Sequence, residues 1–145
     1  MLIETTTALF RDKSIVGAVS GTNVASDTID FRTGGKKYLN GDSGAEVFRA
    51  QHFKIDVWVK RAAASEGSAT LSVVLSSAGA ADGTFKAFHT SPVTALADLV
   101  EGRKLVDSVV IPESAGPFIK AELVNSSTAA FTAGTVYGTI TPAEI

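Results

Sequence analysis

The segment Phe53-Lys54-Ile55-Asp56-Val57-Trp58-Val59-Lys60 decides the fold class of this chain. Apolar side chains alternate along it with mostly polar ones, and this period of two is typical of a β-strand with one buried face. We predict a strand over residues 51–60, and the same alternation predicts strands over residues 69–76 and 117–124. Weaker strand patterns, each bounded by turn residues, occupy residues 14–19, 24–31, 84–89, 103–111 and 134–141.

The composition agrees with this β pattern. Leu, Ile, Val and Phe supply 40 of the 145 residues, and Ile plus Val outnumber Leu plus Met by 23 to 10. Branched side chains suit a pleated sheet better than a helix. A helical spacing occurs only over residues 94–100. We therefore predict one antiparallel β-sandwich domain over residues 13–145, with jelly-roll-like or Greek-key connections, about eight strands and one short connecting helix.

Charge and residue usage exclude several classes of function. The 13 Lys and Arg residues face 15 Asp and Glu residues, so no basic excess supports general nucleic-acid binding. The chain has no cysteine, which excludes disulfides, thiolate zinc sites and thiol nucleophiles. It starts without the pattern of a secretory signal and has no apolar run of about 18 residues, so we expect a soluble chain that is not exported and has no membrane partner.

We find no pattern that predicts an enzyme or a cofactor. Gly41-Asp42-Ser43-Gly44 copies the surroundings of a chymotrypsin-like nucleophile, but both histidines, His52 and His89, come after Ser43 in the sequence. The two histidines lie 37 positions apart without a metal-binding spacing. Asp56 and Glu122 remain a formal carboxylate pair for glycoside hydrolysis if neighbouring strands bring them together. We therefore predict no catalytic residue, no metal and no cofactor.

Two features point to contacts outside an ordinary core. Residues 1–12 carry Leu2, Ile3, Leu9 and Phe10 around a run of threonines, and they form either an edge strand of the sandwich or an arm that packs on a neighbouring subunit. Trp58 lies on the polar face of its strand, where either another part of this chain or a partner covers it. The candidate interface residues are Leu2, Ile3, Leu9, Phe10 and Trp58.

Several segments carry a family resemblance over nearly the whole length of the chain. They are Leu9-Phe10-Arg11-Asp12, Thr22-Asn23-Val24, Ile29-Asp30-Phe31, Leu71-Ser72-Val73-Val74-Leu75-Ser76-Ser77, Asp82-Gly83-Thr84-Phe85, Leu99-Val100-Glu101-Gly102-Arg103-Lys104-Leu105, Phe118-Ile119-Lys120-Ala121-Glu122-Leu123 and Phe131-Thr132-Ala133-Gly134-Thr135-Val136. In this order they resemble the cement, or decoration, proteins of tailed-phage heads. Residues 32–50 depart from the pattern as a Gly- and Lys-containing insertion.

The resemblance implies a structural virion protein rather than an enzyme. Such a protein is made in the host cytoplasm, binds the outside of the major capsid protein shell and stabilises the DNA-filled head. The resemblance also implies a homo-oligomer, with a dimer expected and a trimer as the alternative. A different hypothesis is a carbohydrate- or receptor-binding module of the particle, in which Trp58, Tyr38 and Tyr137 stack on sugar rings.

Overall fold

Antiparallel pairing between strands that lie far apart in the sequence organises the chain into two sheets. The computed structural model describes residues 7–18, 23–26, 28–30, 53–80, 82–112 and 114–142. The strands of this part of the chain are β1 (Thr7–Ser14), β2 (Val24–Ala25), β3 (Ile29–Asp30), β4 (Phe53–Ser65), β5 (Thr70–Ala78), β6 (Lys86–Thr90), β7 (Thr94–Ala95), β8 (Lys104–Val110), β9 (Phe118–Val124) and β10 (Phe131–Pro142).

The first sheet has the order β1-β10-β4-β8, and the second has the order β2-β9-β5-β6. Both edges of the second sheet are shared between two short strands, because β3 also pairs with β9 and β7 also pairs with β5. Every pairing between these strands is antiparallel. The first and last of these strands, β1 and β10, lie side by side.

The pairing is nested, as in a long hairpin that has been wrapped into two layers. The strand β1 pairs with β10, β2 and β3 pair with β9, β4 pairs with β8, and β5 pairs with β6 and β7. Contacts of β10 with β4, and of β5 with β9, join these hairpins into sheets.

Alternating side chains of the two sheets form one core. Ile55, Val57 and Val59 of β4 point inward and are buried, as the sequence pattern predicts. From the second sheet, β5 and β9 bury Leu71, Val73, Leu75, Ile119, Ala121 and Leu123 in the same cluster. The prediction of an all-β antiparallel sandwich is confirmed.

The first described strand belongs to this sandwich. Leu9 and Phe10 of β1 are 6% and 1% exposed, and β1 pairs with β10 as an edge strand of the first sheet. Phe10 lies opposite Gly138, where an added Cβ would come 3.1 Å from the Phe10 ring. Residues 7–12 are thus an edge strand, one of the two alternatives that the sequence left open. Because Leu9 and Phe10 are core residues, we withdraw them as interface candidates, while Leu2 and Ile3 lie outside the described residues.

Two local predictions need correction. Residues 94–100 do not form a helix of two turns: Thr94–Ala95 pairs with β5, and only Leu96–Asp98 forms a 3₁₀ turn. One such turn is enough to place Leu96 and Leu99 against the core. The described part of the predicted strand 14–19, residues 14–18, does not form a separate strand either, since β1 ends at Ser14 and beyond it these residues make only an isolated bridge between Val16 and Phe131.

Candidate interaction surface

The outer face of the first sheet places aromatic and charged side chains side by side. Trp58 pairs with Tyr137 of β10 on one side and with Lys104 of β8 on the other. Because directly opposed residues of paired strands point to the same side of a sheet, these three side chains share the outer face. Lys60 follows Trp58 by two positions along β4 and adds a second ammonium group. We call Trp58, Tyr137, Lys60 and Lys104 the aromatic–lysine face.

The two rings stack on each other. The ring centroids of Trp58 and Tyr137 lie 5.2 Å apart with an interplanar angle of 27°. This separation is close to the spacing of about 4.8 Å between neighbouring strands, so the rings face each other across the gap between β4 and β10. Each ring therefore covers one face of the other. Both residues remain partly exposed on the outer face of the sheet, and we call this stacked pair the aromatic ridge.

One ammonium group lies near each ring. The Nζ atom of Lys104 is 6.0 Å from the centroid of Trp58, and the Nζ atom of Lys60 is 6.0 Å from the centroid of Tyr137. These distances are at the outer limit of a cation–π interaction, so each contact contributes little energy. These contacts matter for position rather than for energy, because they place one ammonium group beside each ring of the ridge.

Asp56 holds Lys104 in this position. Its Oδ1 atom accepts hydrogen bonds from Lys104 Nζ at 3.1 Å, from the Ser108 backbone N–H at 2.8 Å and from Ser108 Oγ at 3.3 Å. The Asp56 side chain is 12% exposed, whereas that of Lys104 is 49% exposed. Ser108 has a left-handed backbone with φ of 53°, at the place where the pairing of β8 with β4 becomes irregular. The buried carboxylate thus fixes both the irregular part of β8 and the ammonium group beside Trp58.

The surroundings of Asp56 lower the pKa of its carboxyl group. Burial alone raises the pKa of the carboxyl group, but the hydrogen bonds from Lys104 and Ser108, together with the positive charges of Lys104 and Lys54, leave it below the ordinary value of 3.8. The hydrogen bond to Asp56 is also the largest cause of the raised pKa of Lys104, which lies above the ordinary value of 10.5. Asp56 and Lys104 are therefore a charged pair at neutral pH.

The residues considered for catalysis do not come together in the described part of the chain. Asp56 lies on the outer face of the first sheet, whereas Glu122 of β9 pairs with Val74 in the second sheet. The two carboxylates are therefore on different sheets and do not face each other. His89 of β6 is half-buried and pairs with Leu75, while Ser43 and His52 lie outside the described residues.

Neither a metal site nor a membrane span is found in the residues that the structure describes. They contain no group of three His, Cys, Asp or Glu side chains that could hold a metal ion. They also contain no helix that is long and apolar enough to cross a membrane.

The triplet Asn125-Ser126-Ser127 matches the acceptor pattern for N-glycosylation, but the Asn125 side chain is buried and has a structural role. Its Nδ2 atom donates to the carbonyl oxygens of Ala18 and Ala129, each at 2.8 Å. Its Oδ1 atom accepts from the backbone N–H groups of Thr70 at 3.2 Å and Ser127 at 2.9 Å. Because the amide is buried and bonded on both sides, it is not accessible to a modifying enzyme in the folded chain.

Comparison with known proteins assigns no family. No protein-family model matches the sequence. A search of curated proteins also finds no significant match.

Of the three predicted interface residues in the described part of the chain, Leu9 and Phe10 are buried and Trp58 lies on a surface. The sequence named Trp58 and Tyr137 as separate exposed aromatics, and the register of β4 with β10 makes them a pair. Lys104 and Ser108, the partners of Asp56, were not predicted from the sequence. They could be identified only from the pairing of β4 with β8, and the local sequence pattern of neither strand predicts that pairing.

Proposed function

We propose that the chain is a structural virion protein, a capsid decoration protein that binds the outside of a major capsid protein shell and stabilises a DNA-filled phage head. The observation that carries this proposal is where the resembling segments lie. Residues 71–77 fall within β5, residues 118–123 fall within β9, and residues 131–136 open β10. Three of the eight resembling segments thus lie on inner strands of the two sheets.

The topology adds support. The nested pairing of β1 with β10, β2 and β3 with β9, β4 with β8, and β5 with β6 and β7 supports a jelly-roll arrangement. Jelly rolls are common among virion proteins. A shell repeats one contact many times, so a modest interface on a well-packed sandwich is enough to reinforce it. We propose that the unit on the shell is a homodimer, with a trimer as the alternative.

The test is reconstitution on heads that lack the protein. Expanded heads would be purified from a mutant of the encoding phage from which this gene has been deleted, and the purified chain would be added back. We expect saturable co-sedimentation with a fixed number of copies per head and a higher temperature of DNA release. Absence of binding to these heads, or binding without a symmetric density on the outer surface, would contradict the proposal.

A second candidate function, a carbohydrate- or receptor-binding module, is favoured by the partly exposed pair of Trp58 and Tyr137. Aromatic side chains are common in sugar sites because they offer a flat apolar surface together with polar groups. A glycan array probed with the purified chain tests this function directly. Specific binding that is lost in Trp58→Ala, combined with no binding to heads, would replace the capsid function with this one.

A further inference from the structure

The structure assigns a docking role to the aromatic–lysine face: it binds a carboxylate-rich patch on the outer surface of the capsid shell protein. This assignment rests on the proposed function and adds the face that is used and the chemistry of the partner surface.

The orientation of the rings favours a protein partner over a sugar. Trp58 and Tyr137 stack across two strands, so each ring covers one of the two faces of the other. Lys104 and Lys60 each place an ammonium group 6.0 Å from a ring centroid, which leaves less of both rings open to a stacking sugar. A partly exposed stacked pair beside two ammonium groups offers apolar and charged contacts to the side chains of another protein. Trp and Tyr are also enriched among the residues that contribute most to protein interfaces.

The charge of the face selects an acidic partner. The whole chain carries a net charge of −2, yet Lys54, Lys60 and Lys104 all lie on the outer face of this sheet. The one buried carboxylate there, Asp56, is already bonded to Lys104 and Ser108. Asp107 also lies 3.6 Å from Lys104, but among the described residues neither Lys54 nor Lys60 has an ion pair. Carboxylates of a partner would complete these charges, which is the complementarity that orients protein complexes.

The face is accessible in the described structure. Lys60 is exposed, and Trp58 and Tyr137 are partly exposed. The ammonium group of Lys104 is held by Asp56, so part of the entropy cost of ordering it is already met before a partner binds. The face therefore combines an aromatic ridge with the ammonium group of Lys104, which Asp56 holds in place, and that of Lys60, for which no ion pair occurs among the described residues.

The test compares matched substitutions on the two sheets. Lys60→Glu changes the charge of the aromatic–lysine face, and Lys86→Glu makes the same change on β6 of the second sheet. Trp58→Ala removes one of the two rings of the ridge. Its control, Phe85→Ala, removes a half-buried ring outside this face, whose centroid lies 4.5 Å from Lys120 Nζ. Binding of each full-length variant to heads lacking the protein would be measured by co-sedimentation at about 50 and about 300 mM NaCl, since salt screens exposed charges.

We expect Lys60→Glu and Trp58→Ala each to weaken binding to the heads by about tenfold or more, as for central interface residues. Lys86→Glu and Phe85→Ala should stay within about twofold of the parent chain, as expected for residues outside an interface. Binding of the parent chain should weaken as the salt concentration rises. Thermal unfolding of each variant separates loss of binding from loss of folding, and the exposed Lys60 keeps the test valid if Trp58→Ala unfolds.

The outcomes separate this assignment from the proposed function. If the parent chain does not bind heads, the proposed function fails and the assignment of a shell partner fails with it. If the parent chain binds and all four variants bind equally well, the capsid function stands and this face is not the docking surface. If Lys60→Glu instead lowers the oligomeric state measured by light scattering, the face is a contact between copies of this chain and the assignment to the shell is overturned.

Discussion

The carboxylate of Asp56 is the group that links the core strand β4 to the charged outer face. Among the described residues it is the one buried charged side chain, and it accepts three hydrogen bonds through a single oxygen atom. A buried charge is stable only when it is paired and hydrogen-bonded. Removing the Asp56 carboxylate leaves Lys104 and Ser108 without their acceptor, and removing those donors leaves a buried charge without hydrogen bonds.

We therefore expect Asp56→Ala to lower the free energy of unfolding by about 2 kcal/mol, the usual contribution of hydrogen bonds to a charged group. The Ser108 N–H and the Lys104 ammonium group lose their acceptor in this variant. Chemical denaturation monitored by circular dichroism measures the change. Asp107→Ala is the matched control, because its carboxylate also lies near Lys104 but is 74% exposed, and its effect should be below about 0.5 kcal/mol. Equal effects of the two substitutions would contradict the role of Asp56.

The free energy of unfolding should also depend on pH through the ion pair of Asp56 with Lys104. Because the pKa of Asp56 in the folded chain is below its ordinary value of 3.8, the ionised carboxylate stabilises the fold above that value, and this contribution disappears as the pH falls through the lowered pKa. The pKa of Lys104 is raised above 10.5, so its contribution is fully present below 10.5 and disappears only as the pH rises through the raised pKa.

Denaturation of the parent chain and of Asp56→Asn at a series of pH values tests this reasoning. The difference in free energy of unfolding should be constant between about pH 5 and about pH 9 and should shrink below about pH 4, where the protonated Asp56 resembles asparagine. Asp107→Asn serves as the control for removing a neighbouring exposed carboxylate. A difference that grows as the pH falls would contradict the lowered pKa of Asp56.

Among the strands, β1 shows how a terminal segment becomes part of the core. Its register with β10 shifts between Ala8 and Phe10 and again between Phe10 and Lys13. These shifts allow Leu9 and Phe10, which are consecutive, both to be buried. Gly138 provides the space for the Phe10 ring, because any larger side chain there would crowd it.

We expect Phe10→Ala to destabilise the sandwich by about 3 to 5 kcal/mol, the cost of emptying a well-packed aromatic site. Val16→Ala, near the same end of the chain but at a side chain that is 56% exposed, should change the free energy of unfolding by less than about 0.5 kcal/mol. Urea denaturation of both variants measures the difference. A small effect of Phe10→Ala would mean that β1 is a detachable arm rather than a strand of the sandwich.

The strands that alternate strictly could be predicted from the sequence, and those that depend on register could not. The alternation around Ile55 and Val57 states which face of β4 is buried, because the period of two is a local property. The consecutive buried pair Leu9 and Phe10 breaks this period at a bulge, and therefore gives no such signal. The pairing of Trp58 with Tyr137 joins residues far apart in the sequence, so it follows only from the register of β4 with β10.

The edges of the first sheet bear on how whole molecules associate. β1 is interrupted by register shifts, and β8 is interrupted near Ser108, whose backbone is left-handed. Irregular edges resist the addition of further strands from another copy. Association of this chain should therefore use side-chain surfaces rather than a continuous sheet across two copies.

We expect the chain in solution to be a homodimer with a mass of twice the 15.0 kDa of one copy. A symmetric pair presents the same surface twice to a repeating shell, which strengthens binding without any new kind of contact. Size exclusion coupled to light scattering measures the mass, and Lys60→Glu should leave it unchanged if the aromatic–lysine face is reserved for the shell. A mass of one copy at all concentrations would contradict the dimer, and three copies would favour the trimer. If the mass is that of two copies and Lys60→Glu leaves it unchanged, the contact between copies lies outside the aromatic–lysine face, and one molecule can then pair with its copy and dock on the shell at once.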